Sequence, residues 1–79
     1  MSTVTRLPQP GDINGVVASE IKALNGRYGV TQRDLAALIG VSQSRFSKRI
    51  RGTIAFDVVE LDKIARHFGV TVADLVGGT

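Results

Sequence analysis

Cysteine is absent from the chain, which excludes disulfides and thiolate metal sites and leaves stability to a packed core. Aromatic residues are few, three Phe and one Tyr, so Val, Leu, Ile and Ala must fill that core between helices. No apolar run approaches the roughly eighteen residues that a membrane span needs. The N-terminal stretch MSTVTRLPQP also lacks the charged-then-apolar pattern of an export signal. A cytoplasmic location with no membrane partner is therefore expected. The 79 residues leave room for one domain, near the lower limit at which an apolar core suffices without staples. The most telling shortage is local: no Asp or Glu occurs from Leu35 to Phe56, whereas Arg45, Lys48, Arg49 and Arg51 all fall there. The formal net charge of +3 is modest, so distribution and not total points to an anionic partner.

What is present is a series of helix signals. Thr31 with Asp34 forms a capping-box pattern ahead of Leu35, Leu38 and Ile39, which predicts a helix over 32–39. Gly40 stands where a chain leaving a helix needs positive φ, and Ser42 can cap the next helix. The turn between them is about three residues long. Ala36 and Gly40 are small where a second helix at a sharp angle would pass closest, and Val41 is apolar enough to plug the corner. In residues 43–51 the only large apolar side chains are Phe46 and Ile50, which share one face. Opposite them lie Ser44, Lys48 and Arg51, flanked by Gln43 and Ser47 on one side and by Arg45 and Arg49 on the other.

Other helix starts carry an acid three residues after the cap (Asp34, Glu60, Asp74), but after Ser42 that position is Arg45. Carboxylates favour helix N-termini through the dipole, so this end reads as one kept free for another anion, a nucleic-acid phosphate above all.

The run Gln32, Leu35, Ala36, Gly40, Val41, Ser42, Gln43, Ser44, Phe46, Ser47, Lys48 and Gly52 resembles the helix-turn-helix of the phage repressor and Cro type, also called the Xre family. The likeness continues through residues 57–75, DVVELDKIARHFGVTVADL, and so covers most of the chain from about Asn14 onward. Arg49 departs from a position often apolar in that family, and Phe56 from one often proline. The resemblance implies an all-α, compact five-helix lambda-repressor-like bundle whose second motif helix enters the major groove of double-stranded DNA. It implies base contacts from Gln43, Ser44, Ser47 and Lys48 and a phosphate contact from Gln32. Arg45, Arg49, Arg51 and Thr53, with the amides of the loop after Gly52, are assigned to the phosphate backbone. It also implies binding to paired half-sites as a twofold dimer; here a weak homodimer formed on DNA is expected, with Val72, Leu75 and Val76 as candidate contacts.

Outside the motif, residues 1–11 hold both prolines and read as a flexible arm, with Arg6 as its cation for a minor groove, leaving 12–79 as the folded domain. Asp12 or Asn14 is expected to cap a first helix that buries Val17, Ile21, Leu24 and Tyr28. Ile54 and Phe56 are expected to tuck against the core. Val58, Leu61, Ile64, Ala65 and Phe68 form the apolar face of a fourth helix closed by Gly69, and Thr71 with Asp74 starts a short fifth.

His67 is isolated, and four of the acids are explained as caps, so neither an enzyme, a metal, a cofactor nor a small-molecule substrate is expected. The function that fits is a sequence-specific transcriptional regulator, a phage or bacterial repressor. The alternative is a protein-interaction module, bridging or antitoxin-like, on the same scaffold.

Overall fold

A computed structural model describes residues 10–77, with side chains from Ile13 onward. The expected arm, Arg6 included, lies outside the described residues up to position 9. Five helices follow in order: α1 (Pro10–Tyr28), α2 (Gln32–Ile39), α3 (Gln43–Ile50), α4 (Val58–Phe68) and α5 (Val72–Leu75). Among the described residues there is no strand, and no helix is long and apolar enough to cross a membrane. α1 starts earlier than its capping signals suggested. Pro10 and Gly11, assigned to the arm by sequence, open the helix, and neither Asp12 nor Asn14 is its cap. A proline suits that place because its missing N–H would have no partner in a first turn, and its φ is already helical.

The later boundaries follow the capping chemistry. Thr31 Oγ1 accepts from the Asp34 amide at 3.1 Å while Asp34 Oδ2 accepts from the Thr31 amide at 3.0 Å. Asp57 with Glu60 and Thr71 with Asp74 repeat this reciprocal arrangement at the starts of α4 and α5. Gly40 ends α2 at φ 79°, and its amide and that of Val41 both return to the Ala36 carbonyl. A Cβ on Gly40 would meet nothing within 4 Å, so the left-handed backbone selects glycine there, not the close helix passage expected from sequence. Ala36 is the small residue that is buried at the crossing.

One apolar core joins all five helices. It takes Val17, Ala18 and Ile21 from α1, Leu35, Ala36 and Ile39 from α2, Phe46 and Ile50 from α3, Leu61, Ile64 and Ala65 from α4, and Leu75 from α5. Phe46 is wholly buried and meets Phe56 edge-on, with ring centroids 5.7 Å apart. Phe56 thus tucks in as expected, but Ile54 does not, and it is exposed.

Two other expectations fail at helix ends. Tyr28 lies on the buried side of α1 but a turn beyond the core, so it is 56% exposed and rests on Phe68 at 5.9 Å. Val58 is 75% exposed. At about 100° per residue, the inner arc of α4 is filled by Glu60, Leu61, Ile64, Ala65 and Phe68, and Val58 sits at its edge in an overhanging first turn. Leu75 is fully buried, which removes it as a dimer contact; Val76 remains exposed.

The bond from the Thr31 amide, followed by that with the Thr31 hydroxyl, holds the Asp34 carboxyl below its ordinary range, and Thr71 does the same for Asp74. A carboxyl whose pKa falls on folding binds its proton less readily in the native state than in the unfolded chain. Its stabilising contribution is fully present above the ordinary aspartate range and is lost as pH drops through the lowered native value. The thermal midpoint of the protein should therefore fall more on acidification below about pH 4 than that of the Asp34→Asn/Asp74→Asn variant. Parallel curves in calorimetry across that range would show that the two carboxylates add nothing.

Candidate nucleic-acid interface

Phe46 and Ile50, one turn apart, dock α3 in the core and so determine which of its side chains face out. Gln43, Ser44, Arg45, Lys48 and Arg51 are exposed, and Ser47 is half-buried on the flank. The assignment of α3 as the outward helix therefore agrees with its packing. Ser42 caps it by accepting from the Arg45 amide at 3.1 Å, and no acid occupies the first turn. The N-terminal amides of α3 thus carry the positive end of the helix dipole without a neighbouring carboxylate to neutralise it. Lys48 stands in the last turn, where a cation also favours the helix. Gln32 opens α2 and is half-buried.

The loop after α3 differs from the sequence reading. The amides of Thr53 and Ile54 both donate to the Lys48 carbonyl, at 2.9 and 3.4 Å, and the Gly52 amide donates to Arg49 O at 3.1 Å. These three amides are committed within the protein and are not free to bind phosphate. Of Thr53, the exposed hydroxyl is what remains for that role.

Arg49, assigned to the phosphate backbone by sequence, is turned to another helix instead. Its Nε donates to Glu60 Oε1 and its Nη2 to Glu60 Oε2, both at 3.0 Å, while Nη1 donates to the Arg45 carbonyl at 3.2 Å. The two side chains are only 11% and 10% exposed. A guanidinium whose three nitrogens are engaged and whose side chain is mostly shielded is poorly placed to take a phosphate, whereas Arg45 and Arg51 are exposed.

Sequence reasoning recognised Glu60 as a capping residue and missed this second duty. The partners stand 11 residues apart on different helices, so no local spacing reveals the pair. The signal available was the charge itself, a cation where α3 turns from its outer to its inner side. His67 is exposed and lies edge-on to Phe68. Among the described residues no three His, Asp or Glu side chains gather where they could hold a metal ion.

A family model described as helix-turn-helix matches residues 21–75, most of the chain. The chain belongs to the helix-turn-helix family, of the phage repressor and Cro (Xre) type. Family and fold are those of DNA-binding regulators and not of enzymes. Among curated proteins the chain is 29% identical over 62 residues to the antitoxin PezA of Streptococcus pneumoniae serotype 4. That match takes in 78% of this chain but only 39% of the antitoxin, so the chain spans well under half of that relative's length.

Solved structures that share the fold include two described as regulators or transcription factors. One is a hypothetical transcription factor, NHTF, from Neisseria, with a TM-score of 0.75 over 95% of this chain and 84% of that one, at 23% identity. The other is the clp gene regulator ClgR from Corynebacterium glutamicum, with a TM-score of 0.73 over 81% of this chain and 68% of that one, at 25% identity. The first likeness carries the fold alone.

The two ion pairs of the described residues should differ sharply in weight. Removing one partner of a shielded pair strands the other, so Arg49→Ala should lower the unfolding free energy by about 3 kcal/mol. Arg66 and Asp62, 80% and 49% exposed, form a one-turn surface pair. Arg66→Ala there should cost about 0.5 kcal/mol or less. Urea denaturation of both variants tests the contrast, and equal losses would refute it.

Proposed function

We propose that the protein is a sequence-specific, double-stranded DNA-binding transcriptional regulator, a repressor of phage or bacterial type that occupies an operator and blocks polymerase. The observation that carries this reading is the exposed, acid-free outer side of α3, held outward by the burial of Phe46 and Ile50. Gln43, Ser44, Ser47 and Lys48 read base edges in the major groove: the Gln43 amide accepts and donates at once to an adenine edge, and Lys48 donates to guanine O6 and N7. Arg45, Arg51, Gln32 and the Thr53 hydroxyl hold the phosphate backbone and set register. The protein works in the cytoplasm. Two copies associate weakly on DNA and occupy half-sites about one helical turn, roughly 34 Å, apart.

A second reading is supported by the likeness to PezA and by the exposed Ile54, Val58 and Val59 around the start of α4. In that reading the same scaffold is an interaction module whose principal partner is a protein, as in an antitoxin.

Selection of bound duplexes from a random pool separates the two readings. A regulator recovers a defined site with twofold symmetry, whereas an interaction module with no DNA role enriches nothing even at low salt. On the recovered site, Lys48→Ala should weaken binding chiefly to the preferred sequence, by about 1–3 kcal/mol. Arg51→Ala should weaken binding on all sequences and flatten the log–log salt dependence by about 0.9. Titrations at several salt concentrations in which neither variant changes affinity would remove α3 from the interface.

A further inference from the structure

We propose that Arg49 is a positioning residue: paired with Glu60, it fixes the angle at which α3 presents its outer side chains, and it makes no DNA contact of its own. The proposal rests on the reading of α3 as the DNA-facing helix and adds what holds that helix at its angle.

α3 is eight residues long and is seated by Phe46 and Ile50, which lie one above the other on a single line of the helix. Two side chains in line resist withdrawal from the core but oppose rolling about that line much less. A tether to one flank supplies the missing restraint, and Arg49 lies on that flank. α3 packs directly on α1 and α2, and the Arg49–Glu60 pair ties it to α4 as well.

The tether is stiff at both ends. The two parallel bonds of 3.0 Å between guanidinium and carboxylate define an orientation as well as a distance, which a lysine ammonium would not do. On the α3 side the plane is fixed again by the bond of Nη1 to the Arg45 carbonyl. On the α4 side Glu60 Oε1 also accepts from the Asp57 amide at 3.1 Å, while Asp57 Oδ1 accepts from the Glu60 amide at 2.7 Å. Arg45, Arg49, Glu60 and Asp57 thus form one continuous hydrogen-bonded link from the middle of α3 to the first turn of α4. The low exposure of the Arg49 and Glu60 side chains keeps water from competing for the two bonds between them.

The geometry makes the roll angle matter. With side-chain tips about 6 Å from a helix axis, a roll of about 10° displaces Ser44 and Lys48 by about 1 Å. That shift exceeds the roughly 0.5 Å within which a binding group has to be held. Loss of the tether therefore acts on sequence discrimination, where placement decides, and spares backbone attraction, where the exposed Arg45 and Arg51 suffice.

The test uses Arg49→Met and Glu60→Gln in the full chain, at a temperature where circular dichroism shows each variant folded. Both are titrated over several salt concentrations against the duplex that the wild type selects and against a scrambled duplex of equal length. Each should lose about tenfold or more of the preference for the selected duplex, with the scrambled-duplex affinity and its salt slope unchanged. A salt slope shallower by about 0.9 in Arg49→Met, or tighter binding in Glu60→Gln as the guanidinium is released, marks a phosphate contact and overturns the proposal. An unchanged preference in the folded variants marks a merely stabilising pair and overturns it too. If the wild type selects no duplex, the DNA-binding reading fails by itself. Amide residual dipolar couplings then decide the positioning role: reorientation of residues 43–50 relative to α1 and α2 in both variants supports it, and unchanged couplings refute it.

Discussion

Burial of Phe46 and Ile50 is the contact on which the geometry of this domain depends. α3 is otherwise polar or basic along its length, and without these two side chains nothing would hold it to the other helices by apolar area. At about 1.5–3 kcal/mol for each large side chain removed from water, they dominate what attaches this element. Docking fixes direction together with attachment. With one line of the helix turned inward, Ser44, Lys48 and Arg51 have to project outward, and the surface charge of the domain becomes a consequence of its core. Phe56 completes the seat by meeting Phe46 edge-on, so the loop after α3 is drawn into the same packing. The amides of Thr53 and Ile54, bonded back to Lys48, are the polar side of that closure.

Charge is divided by position more than by amount. Four of the seven acids stand at the N-termini of α2, α4 and α5, where amide donors and the helix dipole hold them, and α3 alone of these four helices starts without one. Among the described residues, Arg45, Lys48 and Arg51 have no carboxylate within ion-pair distance. Arg49, in the midst of them, is neutralised by Glu60. A cluster of basic residues that looks uniform as a string therefore separates in space into exposed charges and one internal strut.

Much of the fold was legible because its determinants are local. The reciprocal caps of Thr31, Asp57 and Thr71, the left-handed Gly40 and the one-turn spacing of Phe46 and Ile50 each involve residues within four positions of one another. What escaped prediction depends on where elements end or on what stands opposite them. Tyr28 and Val58 have acceptable helical phase, but their turns extend past the neighbours that would cover them. Ile54 and Phe56 are two residues apart in one loop, and the face of Phe46 decides which is buried. At the candidate interface, the outward direction of Gln43, Ser44, Arg45, Lys48 and Arg51 could be read from phase alone. The fate of Arg49 could not, since it depends on α4 approaching from 11 residues further along the chain.

Glu60 closes the first turn of α4 with Oε1 and grips the arginine of α3 with that oxygen and Oε2 together. Substitution at this position consequently has to satisfy both roles at once. An aspartate keeps the charge but is a methylene too short to span to α3 and reach back to Asp57 together, a glutamine keeps the length but cannot receive the fork at both ends, and an apolar residue meets neither demand. Drift at position 60 is thus confined more narrowly than either role alone would impose, and a change at position 49 would relax only one of the two constraints.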